Sequence, residues 1–125
     1  MLVFRGTDWY KGLSPEQMQQ VFTQWMSWFN RLKEEGIALA GNPLEPEGRI
    51  VSGPQGKVVS DGPFAESKES IGGYFLLSVS TMDQAVAIAR ECPGLPYGIR
   101  VEVRPVAAEC PILNEVRETE AASQA

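Results

Sequence analysis

The sequence contains no histidine. The commonest acid–base side chain near neutral pH, and the commonest metal ligand, is therefore missing. Ser-His-Asp and Cys-His catalysis and histidine-based metal chemistry are excluded within one chain. Cysteine is scarce too: Cys92 and Cys110 are the two present. Two distant cysteines make neither a disulfide framework nor a zinc site, so no metal and no cofactor is expected. There is no basic cluster, and Arg31 and Lys33 are followed at once by two glutamates. Sixteen acids against eleven bases give a net charge of -5. Phosphate backbones repel such a surface, so no nucleic-acid partner is expected. No apolar run reaches the length of a membrane span, and Met1-Leu2-Val3-Phe4-Arg5 lacks a signal-peptide layout. The sequence reads as a cytoplasmic protein with reduced thiols and no membrane partner.

What is present suits one globular domain. The chain has 125 residues, 43% of them hydrophobic, enough for a core without staples. Leu2-Val3-Phe4 reads as a first strand, followed by a loop with the exposed-looking aromatics Trp9 and Tyr10. Ser14-Pro15-Glu16-Gln17 is a helix start: a hydroxyl cap, Pro in the first turn, Gln at the capping-box position. Met18, Val21, Phe22, Trp25, Phe29 and Leu32 follow at spacings of three and four, predicting a helix from about Pro15 to Glu35 with Gly36 as its cap. Met26 and Trp28 flank that stripe. Ile37 to Ala40 reads as a strand and Asn42 to Glu47 as a loop. Arg49–Ser52 and Lys57–Ser60 flank Gly53-Pro54-Gln55-Gly56, the pattern of a β-hairpin. Tyr74 to Val79 reads as a strand with Phe75, Leu77 and Val79 on one side and Tyr74, Leu76 and Ser78 on the other. A second helix starts near Thr81 and carries Met82, Ala85, Val86 and Ala89, with Pro93 and Gly94 beyond it. Ile99 to Val106 alternates Ile99, Val101 and Val103 with Arg100, Glu102 and Arg104, so one face is apolar and the other charged. Residues 1–106 form the domain and 107–125 a polar tail, frayed helix or disordered.

The order predicts an α+β, ferredoxin-like β-α-β-(hairpin)-β-α-β fold: a four-stranded antiparallel sheet with two helices on one face. The bare face, with Tyr74 and Leu76 on it, suits burial against a second copy in a homodimer.

The stretch Ser60-Asp61-Gly62-Pro63-Phe64-Ala65-Glu66-Ser67-Lys68-Glu69 combines a carboxylate, a Gly-Pro turn and an aromatic. Together with Leu13-Ser14-Pro15-Glu16, Gly36, Ala40-Gly41, Gly72-Gly73-Tyr74 and Ile99-Arg100-Val101-Glu102-Val103-Arg104-Pro105, it resembles the YCII-related family in its DGPF-domain branch. The resemblance covers roughly residues 1–106. It implies a dimeric α+β barrel with a pocket between two facing sheets, in a superfamily that includes muconolactone-type isomerases and dehalogenases. It also implies a link of some members to sigma-factor signalling. The His–Asp pair of some members falls near Trp25 and at Cys92 here, and neither residue can act as that pair.

The candidate catalytic residue is Asp61, as a general base or ligand contact, with capping of its own turn as the alternative. Tyr74, Arg100, Arg104 and Phe64 are the candidate ligand-binding residues. An arginine fork suits a small organic anion, while pairing with Glu102 or across a dimer is the favoured account of Arg100 and Arg104. Phe64 serves alternatively as a plug at the barrel end, and Tyr74 as an interface residue. Trp25, Trp28 and Phe29 could wall an aromatic pocket, but a stripe at helical spacing reads first as core. Cys92, at a helix C-terminus, is discounted as a nucleophile. Two functions stay open. One is a homodimer binding a small organic anion, with cofactor-free isomerase- or lyase-like chemistry. The other is a non-catalytic module presenting Trp9, Tyr10 and Trp28 to a protein partner, such as a sigma-factor-related protein.

Overall fold

The computed structural model describes residues 1–6, 8–62 and 71–124. Its elements are β1 (Leu2–Arg5), α1 (Pro15–Glu34), β2 (Ala38–Pro43), β3 (Arg49–Ser52), β4 (Val58–Asp61), β5 (Ile71–Leu77), α2 (Met82–Ala89), β6 (Arg100–Val103) and α3 (Pro111–Gln124). Strands β2, β5, β1 and β6 lie side by side in that order, each pair antiparallel. Strands β3 and β4 form a separate two-stranded sheet. The fold is α+β and ferredoxin-like, with the hairpin as an insert.

Both sheet-covering helices start on the same device. The Ser14 hydroxyl accepts from the Gln17 N–H at 3.2 Å, and the Ser14 N–H donates to the Gln17 side-chain oxygen at 2.9 Å. Thr81 and Gln84 repeat the exchange at the head of α2. Each reciprocal cap satisfies two backbone donors that a helix end leaves open, worth about 1 kcal/mol.

The core lies between these helices and one sheet face. Leu2, Phe4 and Phe75 from the sheet meet Trp28 and Leu32 from α1 and Ala89 from α2, with Cys92 and Ile99 closing one side. Phe4 sits edge-on to Trp25 and to Phe75, at centroid distances of 4.9 and 4.8 Å, a favoured arrangement for aromatic quadrupoles. The other sheet face carries Val3, Tyr74, Leu76, Arg5, Arg100 and Glu102, and no described helix packs on it.

Several boundaries differ from the sequence reading. Strand β5 begins at Ile71, so Gly72-Gly73 is strand rather than loop. A side chain at Gly73 would come within 2.9 Å of the Asn42 carbonyl oxygen, so the two backbones approach because that position has none. Strand β2 correspondingly runs on through Asn42-Pro43, and the Leu44 N–H donates to the Gly72 carbonyl one step further. Its pairing is irregular between Ala38 and Ala40: Leu39 is an extra, exposed residue, a β-bulge. Strand β6 stops at Val103, although the Arg104 N–H still donates to the Met1 carbonyl. The polar tail is helical from Pro111 and exposes Ile112, Leu113 and Val116.

The stripe on α1 is also rotated from the reading. Trp28 was placed on its flank as an exposed aromatic, but it is only 5% exposed and inside the core. Phe22, in the middle of the expected stripe, is 63% exposed. The core is centred on Val21, Trp28 and Leu32, while Met18, Phe22 and Met26 fall on the adjoining flank.

Candidate functional site

That displaced flank of α1 is solvent-exposed but not flat. It forms one wall of a cleft of about 590 Å³. Phe22, Trp25, Met26 and Phe29 supply the helix side, Gly41 to Leu44 and Pro46 the facing side, and Gly72, Gly73 and Phe75 the sheet end. Trp9, Tyr10 and Leu13 close the end nearest β1. The volume lies within the range of about 300–1,000 Å³ usual for small-molecule sites.

Local bonding fixes these walls. Two successive turns, Lys11 N–H to Asp8 carbonyl and Leu13 N–H to Tyr10 carbonyl, hold Trp9 and Tyr10 against the helix. Trp9 lies nearly parallel to Trp25, with rings 22° apart and centroids at 5.9 Å, and nearly parallel to Tyr97 on its other side at 6.5 Å. Phe29 meets Phe75 at 4.8 Å. The aromatic wall is thus locked by its own packing before any ligand arrives.

Among the described residues lining the cleft there is no Asp, Glu, Lys or Arg. Among the described lining residues Tyr10 carries the one hydroxyl. Such a lining binds by apolar burial and ring contacts, and it offers no carboxylate base and no fixed cation. A second hollow, on the far side of α1, is bounded by Thr23, Gln24, Ser27, Trp28, Arg31, Glu91 and Pro93. It is dominated by the Arg31–Glu91 ion pair at 2.9 Å, with both side chains about half exposed.

The residues singled out from sequence lie elsewhere. Asp61 is the last residue of β4, with its side chain 80% exposed and Arg49 facing it at 3.3 Å. Tyr74 is on the open sheet face, its hydroxyl accepting from the Asn42 amide at 3.3 Å. Arg100 is exposed on the same face, opposite Arg5 in the ladder. Glu102, considered as a partner for Arg100 and Arg104, accepts from Arg5 Nε and Nη2 at 3.0 and 2.8 Å. Arg104 is exposed beyond the end of β6. Phe64, with Pro63 and the rest of the stretch to Glu69, lies outside the described residues. Asp61, Tyr74, Arg100 and Arg104 do not line the cleft.

Sequence reasoning treated the cleft's walls as core or loop. The available signal was the width of the apolar stripe on α1, which exceeds what one sheet face can cover. Of the three aromatics weighed for a pocket wall, Trp25 and Phe29 line the cleft while also packing on the core, and Trp28 does not line it.

The sequence profile of the YCII-related domain matches residues 6–116, almost the whole chain. The chain belongs to the YCII-related family. An uncharacterised protein of Rhizobium meliloti (strain 1021) is 41% identical over 51 residues, covering 40% of this chain and 41% of that protein. The chain therefore aligns with less than half the length of this relative. Of the two positions where some YCII-type proteins carry a His–Asp pair, Trp25 stands on the cleft wall and Cys92 is buried in the core. Burial pushes the Cys92 thiol up to about 11, against the weaker pull of backbone hydrogen bonds from Gly94 and Leu95. The resemblance thus aligns one of those positions near an indole and the other with an un-ionised thiol.

Proposed function

We propose that this YCII-related protein binds a nonpolar small molecule in the cleft between α1 and the sheet, and works as a homodimer in the cytoplasm. The observation that carries the reading is the cleft itself: an open hollow of about 590 Å³ lined by aromatic and aliphatic side chains. The hydrophobic effect alone rewards filling it, at about 25 cal/mol per Å² of apolar surface removed from water. Binding is the primary activity in this reading. Asp61 is a solvated hairpin carboxylate, so Asp61→Asn is expected to leave ligand affinity unchanged. Tyr74 and Arg100 belong to the shared dimer face, where an organic anion would find the arginines that the cleft lacks.

Titration with the neutral fluorophore N-phenyl-1-naphthylamine tests the reading. One saturable site per chain is expected, with emission shifted to the blue. Phe22→Asp, which puts a charge on the wall without touching the core, is expected to abolish the signal. A linear, unsaturable response, or an unchanged signal in Phe22→Asp, refutes the cleft as the site. For the dimer, the part-exposed Tyr74 and Leu76 on the face opposite the helices are the supporting residues. Leu76→Arg is expected to convert a dimer into a monomer in analytical ultracentrifugation, and a wild-type monomer at 100-fold dilution steps refutes it.

A second reading is a module for a protein partner, one of sigma-factor signalling included. It is favoured by the exposed Ile50, Val51, Val58 and Val59 of the hairpin and Ile112, Leu113 and Val116 of α3. Cross-linking in cells that recovers this chain alone counts against it.

A further inference from the structure

We infer that the occupant of the cleft is an uncharged, planar aromatic molecule, an inference that rests on the cleft being a binding site at all. Two independent features of the walls carry it. The first is charge. No carboxylate, ammonium or guanidinium lines the cleft among the described residues. An ionised ligand would leave water there without meeting a counter-charge from the described residues, which disfavours entry. A neutral ligand with one hydroxyl or amine meets Tyr10, whereas the Asn42 amide is turned to the other sheet face and donates to the Tyr74 hydroxyl.

The second is the kind of apolar surface. The walls are rings and thioethers more than branched aliphatics: Trp9, Phe22, Trp25 and Phe29, with Met18 and Met26 beside them. Their planes differ widely. Trp9 and Tyr10 are 86° apart, and Phe29 and Phe75 39° apart. The rings of each pair are in contact with each other, and together they present both ring faces and ring edges to a flat guest packed against the walls, both favoured pairings. Methionine sulfur adds a preference for an aromatic over a saturated guest. Trp9 is already stacked with Trp25 and with Tyr97, and Phe29 packs on Phe75, so these rings lose little side-chain freedom on binding.

Three probes that differ in one property each test this by isothermal titration calorimetry. They are 2-naphthol, 2-naphthoate at pH 7, and decahydro-2-naphthol. The expected result is that 2-naphthol binds about ten-fold or more tighter than either of the others. Phe22→Leu is expected to weaken 2-naphthol by about three- to ten-fold while changing decahydro-2-naphthol less than two-fold. Phe22 is exposed, so this variant keeps the core, and circular dichroism checks that it does. Proton–nitrogen spectra supply a readout from the site itself. The indole N–H signals of Trp9 and Trp25 are expected to move with 2-naphthol, and that of Trp28, absent from the lining, to stay. Equal affinity for 2-naphthoate overturns the claim of an uncharged guest. Equal affinity for decahydro-2-naphthol, or movement of Trp28 alone, overturns the claim of ring recognition. If none of the three probes saturates a site, the cleft reading fails with this one; saturation in the wrong order refutes the ligand class alone.

Discussion

A single methyl group at Gly41 would strike the floor of the cleft. A Cβ there lies 2.7 Å from Phe75 Cδ1, 2.9 Å from Phe29 Cε2 and 3.1 Å from the Tyr74 carbonyl oxygen. The two rings already touch each other at 4.8 Å and the Phe75 ring is buried, so neither can retreat freely. Overpacking of this kind costs about 1–3 kcal/mol. The loss of backbone freedom in the unfolded chain offsets about 0.4–1 kcal/mol of that. Gly41→Ala is therefore expected to be less stable by about 1–2 kcal/mol. For a chain of this size that corresponds to a fall in Tm of about 3–8 °C. Differential scanning calorimetry measures it, with agreement of calorimetric and van't Hoff enthalpies as the two-state check. Gly12→Ala is the control, since a Cβ there meets nothing within 4 Å. Because the displaced rings are cleft walls, the variant is also expected to bind 2-naphthol more weakly. A Gly41→Ala protein that melts at or above the wild-type temperature refutes the packing described here, and with it the shape assigned to the cleft floor.

Other outcomes follow from the same packing. Leu32 is 2% exposed among Trp28, Phe75 and Ala89, so Leu32→Ala is expected to cost about 2–5 kcal/mol in urea unfolding at constant m-value. A cost below 1 kcal/mol would place Leu32 outside the core. Both cysteines are free, Cys110 exposed and Cys92 buried, so a thiol reagent at pH 8 is expected to label one thiol per chain quickly and the second only in denaturant. Fast labelling of both refutes the burial of Cys92. The same thiol sets a pH dependence. Its folded value of about 11 lies above its ordinary value of 9.0. Between these limits the unfolded chain loses the proton and the folded chain keeps it, so stability falls as pH rises from 9 to 11, by about 2–3 kcal/mol. Below pH 9 the group contributes no slope. The difference between wild type and Cys92→Ala across that window isolates the effect, and parallel profiles refute it.

The order of elements along the chain and the two covering helices were legible because each has a local signal. Ser14-Pro15 and Thr81 mark the helix starts, and Phe75/Leu77 and Val101/Val103 alternate cleanly with polar or outward neighbours. The edges were less legible where pairing overrides composition. Gly72-Gly73 and Asn42-Pro43 each read as loop by residue type, yet each supplies the close backbone approach that the other needs. The cleft was not legible because its walls come from four separate stretches, near residues 9–13, 18–29, 41–46 and 72–75. Taken singly, each is a turn, a helix stripe or a strand end. Attention went to Asp61 because a carboxylate in a Gly-Pro turn is conspicuous in one dimension, whereas an apolar hollow exists only in three.

The extra residue in β2 has an evolutionary corollary. Ala38 and Gly41 both face the helices although they are three apart, because Leu39 bulges out of the ladder between them. Loss of Leu39 would leave Ala40 opposite Leu76 and Gly41 opposite Phe75, so a one-residue deletion at that point is silent for the parity of the strand. Loss of Ala40 is equivalent, since Leu39 then takes its outward place, whereas a deletion from Gly41 to Pro43 would turn Asn42 inward or Gly41 outward and exchange the cleft's floor for the sheet's outer surface. Chain length along this edge can drift at the bulge and is held fixed at the three residues beyond it.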